Sequence, residues 1–158
     1  MSIIRFLETL TSIMPTVDGY VYKCVEELIL REGIEYRPAP LPKHIKKGRI
    51  KECYKNAYHT ATREGLEYVE GYALSEGLIP VHHAWCVDAD GVVIDPTWNP
   101  VGVEYIGVVI PIRLVELVML NTKVYGVMHD YQNRYPMLKE GFNASKNKLE
   151  KMYKDLIM

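Results

Sequence analysis

The residues best equipped for chemistry lie in the middle of the chain: Cys53, the pair His82 and His83, and Asp95. A thiolate nucleophile, a histidine that moves protons and a carboxylate that orients the histidine are the parts of covalent acyl transfer through a thioester. Cys53 falls in the first turn of a helix expected over 51–64, where unpaired backbone N–H groups and the positive end of the helix dipole favour a thiolate. Lys47, Arg49 and Lys51 just upstream push the same way, because neighbouring cations depress a thiol pKa. The alternative for a cysteine taken alone is a small apolar side chain packed in the core.

The text VHHAWCVDADGVVIDPTW over 81–98 reads as two strands of one hairpin. Side chains alternate along a strand, so His83 shares a face with Val81, Trp85 and Val87, while His82, Ala84 and Cys86 point the other way. A two-residue turn at Asp90 and Gly91 would put Asp95 opposite Cys86, on the wrong face for His83. A three-residue loop, Ala89-Asp90-Gly91, pairs Asp95 with Trp85 and makes it the diagonal same-face neighbour of His83, about 7–8 Å away at the backbone. A five-residue loop would set the two directly opposite. Asp88 or Asp90 replaces Asp95 as the orienting group only if the hairpin starts earlier.

Cys53, then His83-Ala84-Trp85, then Asp95-Pro96-Thr97-Trp98 resembles the transglutaminase-like branch of the papain-like cysteine enzymes, and Glu70-Gly71-Tyr72 resembles the strand that precedes the histidine there. The resemblance implies an antiparallel sheet packed on the cysteine helix, and a thiol enzyme that cleaves or transfers an amide or related acyl group in a protein or peptide-like substrate, without a cofactor. Cys53 would be the nucleophile, His83 the general base and later the acid, and Asp95 the orienting carboxylate. Trp85, Trp98 and His82 would be accessory or substrate-binding residues. No glutamine precedes Cys53, the single glutamine being Gln132, so the Cys53 backbone N–H is the first oxyanion donor and Tyr36 the candidate for the second. Two alternatives stand beside this reading. One is a catalytically silent scaffold of the same fold that serves as a protein-interaction module. The other is a zinc site drawn from Cys53, His82, His83, Cys86 and Asp95, which strand geometry disfavours because His83 and Cys86 project from opposite faces.

Positioning these groups is the task of the rest of the chain. Ile3, Phe6, Leu7, Leu10 and Ile13 recur at helical spacing, and a second apolar stripe opens after Asp18 and closes at Gly33, giving two helices within 1–35. Alternate prolines at 38, 40 and 42 make 36–48 an extended connection. The cysteine helix ends at Gly65, and β-rich runs follow over 67–74, 81–87, 92–95 and 105–110. Pro111 is expected at a first helical position, and 144–157 reads as a final helix. The expectation is one α+β domain over 1–158, with N-terminal helices in 1–35, a catalytic-like core over 49–110 and a helical region over 111–158.

Composition fits that size. The 158 residues are 48% hydrophobic and 25% charged, so one core is expected. A net charge of -1 argues against nucleic-acid binding by bulk charge, and the basic run over 43–51 lacks interleaved aromatics for base stacking. Charges interrupt the most apolar stretch, over 101–120, which argues against a membrane span. Cys24, Cys53 and Cys86 form no CxxC pair and cannot all be bridged, and the N-terminal run is charged, so a cytoplasmic protein with free thiols is expected. Oligomeric state is not legible in the sequence.

Overall fold

The computed structural model describes residues 1–143 and 146–158. In chain order the elements are α1 (Ile3–Ile13), α2 (Val25–Glu32), β1 (Ile34–Tyr36), α3 (Cys53–Glu64), β2 (Glu67–Leu74), β3 (Val81–Val87), β4 (Val93–Ile94), β5 (Glu104–Val109), α4 (Ile112–Thr122), a 3-10 turn (Tyr131–Asn133), α5 (Pro136–Glu140) and α6 (Lys146–Ile157). This is an α+β fold. Among the described residues, no helix is long and apolar enough to cross a membrane.

Local chemistry explains the element ends. The Ser2 hydroxyl accepts the Arg5 N–H at 3.3 Å and caps α1, which buries Ile3 and Leu7. Gly65 ends α3 in the left-handed conformation at φ +69°, which a residue without Cβ adopts at no steric cost. The strands form one antiparallel sheet in the order β1-β5-β2-β3-β4. The chain just after β1 then bonds to the far end of that order: Arg37 donates its N–H to Gly91 O at 3.3 Å, and Val93 donates to Arg37 O at 2.9 Å. The sheet therefore curls until its two edges meet beside the β3–β4 turn.

Curling gives the sheet an inside and an outside. Inward side chains Val69, Ala73, Trp85, Val87, Val93 and Tyr105 make a small aromatic cluster with Tyr36. Outward side chains Tyr68, Tyr72, Ala84, Cys86, Ile106 and Val108 join the main core formed with the helices. α3 packs on the outer face of β3, where the Cys86 thiol donates to Ala57 O at 3.2 Å. Inside, Gly71 stands between Gly107 and His83 across the strands. A Cβ on Gly107 would lie 2.9 Å from the Trp85 ring, so that glycine makes the room Trp85 occupies.

Several elements differ from expectation. β1 was not legible, because three residues are too few to show a period of two. α2 starts at Val25 rather than after Asp18, since the N–H groups of Val21 and Tyr22 both bond to Leu138 O and the preceding segment turns to meet it. α3 starts at Cys53 and not at Lys51, whose backbone is left-handed at φ +68°. Between α4 and α6 the chain makes the short turn and α5, with Arg134 and Tyr135 at positive φ just before Pro136. The final helix is described from Lys146 to Ile157; Ala144 and Ser145 lie outside the described residues.

Candidate active site

The β3–β4 turn decides whether His83 has a partner. Cys86 pairs with Ile94 and Val87 with Val93, so the register extended by one residue sets Asp95 across from Trp85, as a three-residue loop demands. Gly91 takes the positive φ of +75° at the third loop position. Asp88 closes the loop: its carboxylate accepts the N–H groups of Asp90 and Val92 at 2.9 and 3.0 Å, while its own backbone bonds Val92 and Gly91. Asp95 then meets His83 inside the curl, with Nε2 to Oδ2 at 2.9 Å.

Asp95 is only 1% exposed, and it is saturated with donors. Oδ2 accepts from Tyr105 Oη at 2.7 Å besides the His83 contact, and Oδ1 accepts the N–H groups of Thr97 and Trp98 at 2.9 and 3.2 Å. Burial alone would raise its pKa, but the bonds and charge of His83 together with these donors outweigh it and hold the carboxyl below its ordinary value. Burial alone would likewise lower His83. Hydrogen bonds and charge from Asp95 and Cys53 reverse that and lift the imidazole to about 9. A buried ion pair is thereby kept at neutral pH, with every lone pair of the carboxylate met.

Cys53 is the second side chain that raises that imidazole. Because Asp95 holds Nε2, Nδ1 is the ring nitrogen left for the thiol. Cys53 is the first residue of α3 and is partly exposed, whereas Cys24 and Cys86 are buried. Burial raises both of those thiols, Cys86 to about 12. Glu52 caps the helix without a side-chain hydrogen bond, and the first intrahelical bond runs from Asn56 N–H to Glu52 O. The N–H groups of Cys53 and Tyr54 are thus free of intrahelical partners beside the sulfur, where a developing oxyanion would form.

The accessory residues separate into three situations. Trp98 stacks on His83 with centroids 4.1 Å apart and 26° between planes, and it is half-buried. Trp85 is fully buried and lies 5.0 Å from Tyr105, so it supports the dyad from below and presents no surface to a substrate. His82 points to the outer face, away from the dyad. There its Nε2 meets Tyr72 Oη, which donates to Glu26 at 2.8 Å, and its ring lies 3.9 Å from that of His129. Tyr36, the candidate second oxyanion donor, stands beside Gly91 at the turn, the opposite end of β3 from His83. Among the described residues, no three His, Cys, Asp or Glu side chains are grouped to hold a metal ion.

Tyr105 and Asn56 hold the site without having been singled out from sequence, and Glu70 holds a neighbouring segment in a way the sequence did not show. Tyr105 braces Asp95 and itself accepts the Gly102 N–H at 2.8 Å. Asn56, one turn after Cys53, ties α3 to the strand end by donating to Thr97 Oγ1 at 3.0 Å and to Arg49 O at 2.8 Å. Glu70, fully buried in β2, accepts the N–H groups of Val127 and Met128 and the Tyr68 hydroxyl at 2.6 Å. The Glu70-Gly71-Tyr72 resemblance was its sequence signal, and that signal does not name a partner.

Two grooves, of about 650 and 500 Å³, flank Trp98, and Cys53 is not in the walls of either. Two further cavities, of about 430 and 380 Å³, lie on the outer face and share His82 and His129. No protein-family model matches this chain, and neither a curated protein nor a solved structure matches it.

Proposed function

We propose that the protein is a cysteine-dependent amide hydrolase or acyltransferase with a papain-like, transglutaminase-like core, acting on a protein or peptide-like amide. The reading rests on one observation: a buried imidazole is bonded to a buried carboxylate and is raised both by that carboxylate and by a helix-opening cysteine. In the thiolate–imidazolium form, the Cys53 sulfur attacks the substrate carbonyl carbon while the N–H groups at the start of α3 receive the oxyanion. The tetrahedral intermediate collapses by breaking the C–N bond, and His83 gives its Nδ1 proton to the departing amine. Water or an amine then attacks the thioester, His83 takes the proton, and the thiolate leaves. Asp95 keeps the ring oriented and its charge balanced throughout.

The test compares thiols within one molecule. Under limiting iodoacetamide near neutral pH, Cys53 should be alkylated at least about tenfold faster than Cys24 and Cys86, as mapped by mass spectrometry. His83→Ala should remove that advantage while circular dichroism stays unchanged. Equal labelling of the three cysteines in the native protein defeats the enzymatic reading. The second reading, a silent scaffold that binds a partner, draws on the absence of Cys53 from the walls of both grooves beside Trp98.

A further inference from the structure

The grooves on either side of Trp98 differ in charge. The larger is walled by Lys47, Ile50, Thr97 and Trp98, together with one carboxylate, Glu76. The smaller is walled by Pro40, Pro42, Lys43, Lys47, Trp98 and Pro100 and contains no acidic side chain. Lys43, Lys46, Lys47, Arg49 and Lys51 are all exposed, and among the described residues none of them is in an ion pair. On a chain of net charge -1 this is a concentrated positive field, with Glu76 the one carboxylate in the walls of the two grooves. The walls that carry it are stiff. Proline fixes φ at three wall positions, and Gly48 N–H is bonded to Pro96 O at 2.7 Å, which pins the basic segment to the strand end beside Asp95.

The field is close to the reacting atoms. Trp98 forms a wall of both grooves and stacks on His83. Ile50, a wall of the larger groove, is three residues before Cys53, at most about 11 Å along extended chain. Resting on the amide chemistry proposed above, we infer that the substrate carries a carboxylate near its scissile bond, and that this group seats between Lys43 and Lys47 in the proline-walled groove against Trp98. Lys43 and Lys47 are then specificity-determining residues. The larger groove, with Glu76 opposing Lys47, takes a neutral part of the same substrate.

Tetrapeptide chloroacetamides that differ only by Asp or Lys at each position serve as probes, with the rate of Cys53 labelling read by mass spectrometry. At low salt the best Asp probe should label Cys53 about tenfold faster than its Lys counterpart, and high salt should compress the difference. Lys43→Glu/Lys47→Glu should invert the preference. Lys139→Glu/Lys154→Glu, which makes the same charge change at exposed positions on α5 and α6, should keep it. Equal rates for Asp and Lys probes, or a preference untouched by the first double variant, overturn the inference while leaving the thiol chemistry intact. A Cys53 no more reactive to iodoacetamide than Cys24 and Cys86 overturns both.

Discussion

At the scale of single residues, the site is a competition between burial and pairing. Removing His83 and Asp95 from water should cost several kcal/mol per charge, which only a partner of opposite charge and a full set of hydrogen bonds can offset. Asp95 has both, since His83, Tyr105, Thr97 and Trp98 all donate to it. Asp95→Asn keeps the shape and removes the charge. It should cut Cys53 alkylation near pH 7 by about a hundredfold or more, because the ring loses the group that fixes its tautomer and its proton. Tyr105→Phe, which removes one donor and keeps the ring, should cost about 1–2 kcal/mol in urea unfolding with a smaller effect on alkylation. Equal losses for both variants would mean that the carboxylate acts as a packing group only.

At the scale of elements, the β3–β4 turn and the buried end of β2 set what the residues can do. A slip of one residue in the hairpin turns Asp95 away from His83, so the loop length is part of the site. Gly91→Ala forces a side chain into the left-handed region and should cost about 1 kcal/mol, read from the urea midpoint. Glu70 is the other point where one side chain fixes an element. It receives two backbone N–H groups from the loop after α4, and Tyr54 of α3 lies 3.3 Å from where a Gly126 Cβ would be. Glu70→Ala strands those donors and should destabilise the fold by about 3 kcal/mol or more, with Glu70→Gln costing less. No change in either variant would show that the loop is held by other contacts.

At the scale of the whole molecule, the opposed shifts of its buried groups set a pH window for stability. His83 binds its proton more tightly in the folded state, at about 9 against an ordinary 6.5. Its contribution is therefore complete below about pH 6.5 and is lost as pH rises through 9, on the order of 3 kcal/mol in all. Asp95 is shifted downward, so its contribution is present above the ordinary carboxylate range and is lost as pH falls through its lowered value. His129 adds to the acid side: burial first, and His82 next, push it to about 4, so stability declines as pH falls from 6.5 toward 4. Urea unfolding between pH 4 and 10 should give a maximum near pH 6–7, and Asp95→Asn should flatten the alkaline limb. An unchanged limb in that variant would separate the alkaline loss from the His83–Asp95 pair.

Helices with strong apolar stripes and both long strands were legible from the sequence alone, as was the choice of Cys53, His83 and Asp95 as candidates, because periodicity and residue chemistry are local. The sequence also limited the turn between β3 and β4 to odd lengths if His83 and Asp95 were to share a face. What it left open depends on contacts between distant segments. The actual register, the curl that brings Arg37 to Gly91, the bracing of Asp95 by Tyr105 and the placement of Trp85 beneath the dyad all join residues far apart along the chain. Only the packed fold decides these, since whether a buried polar group is stable depends on which partners the remaining elements deliver to it.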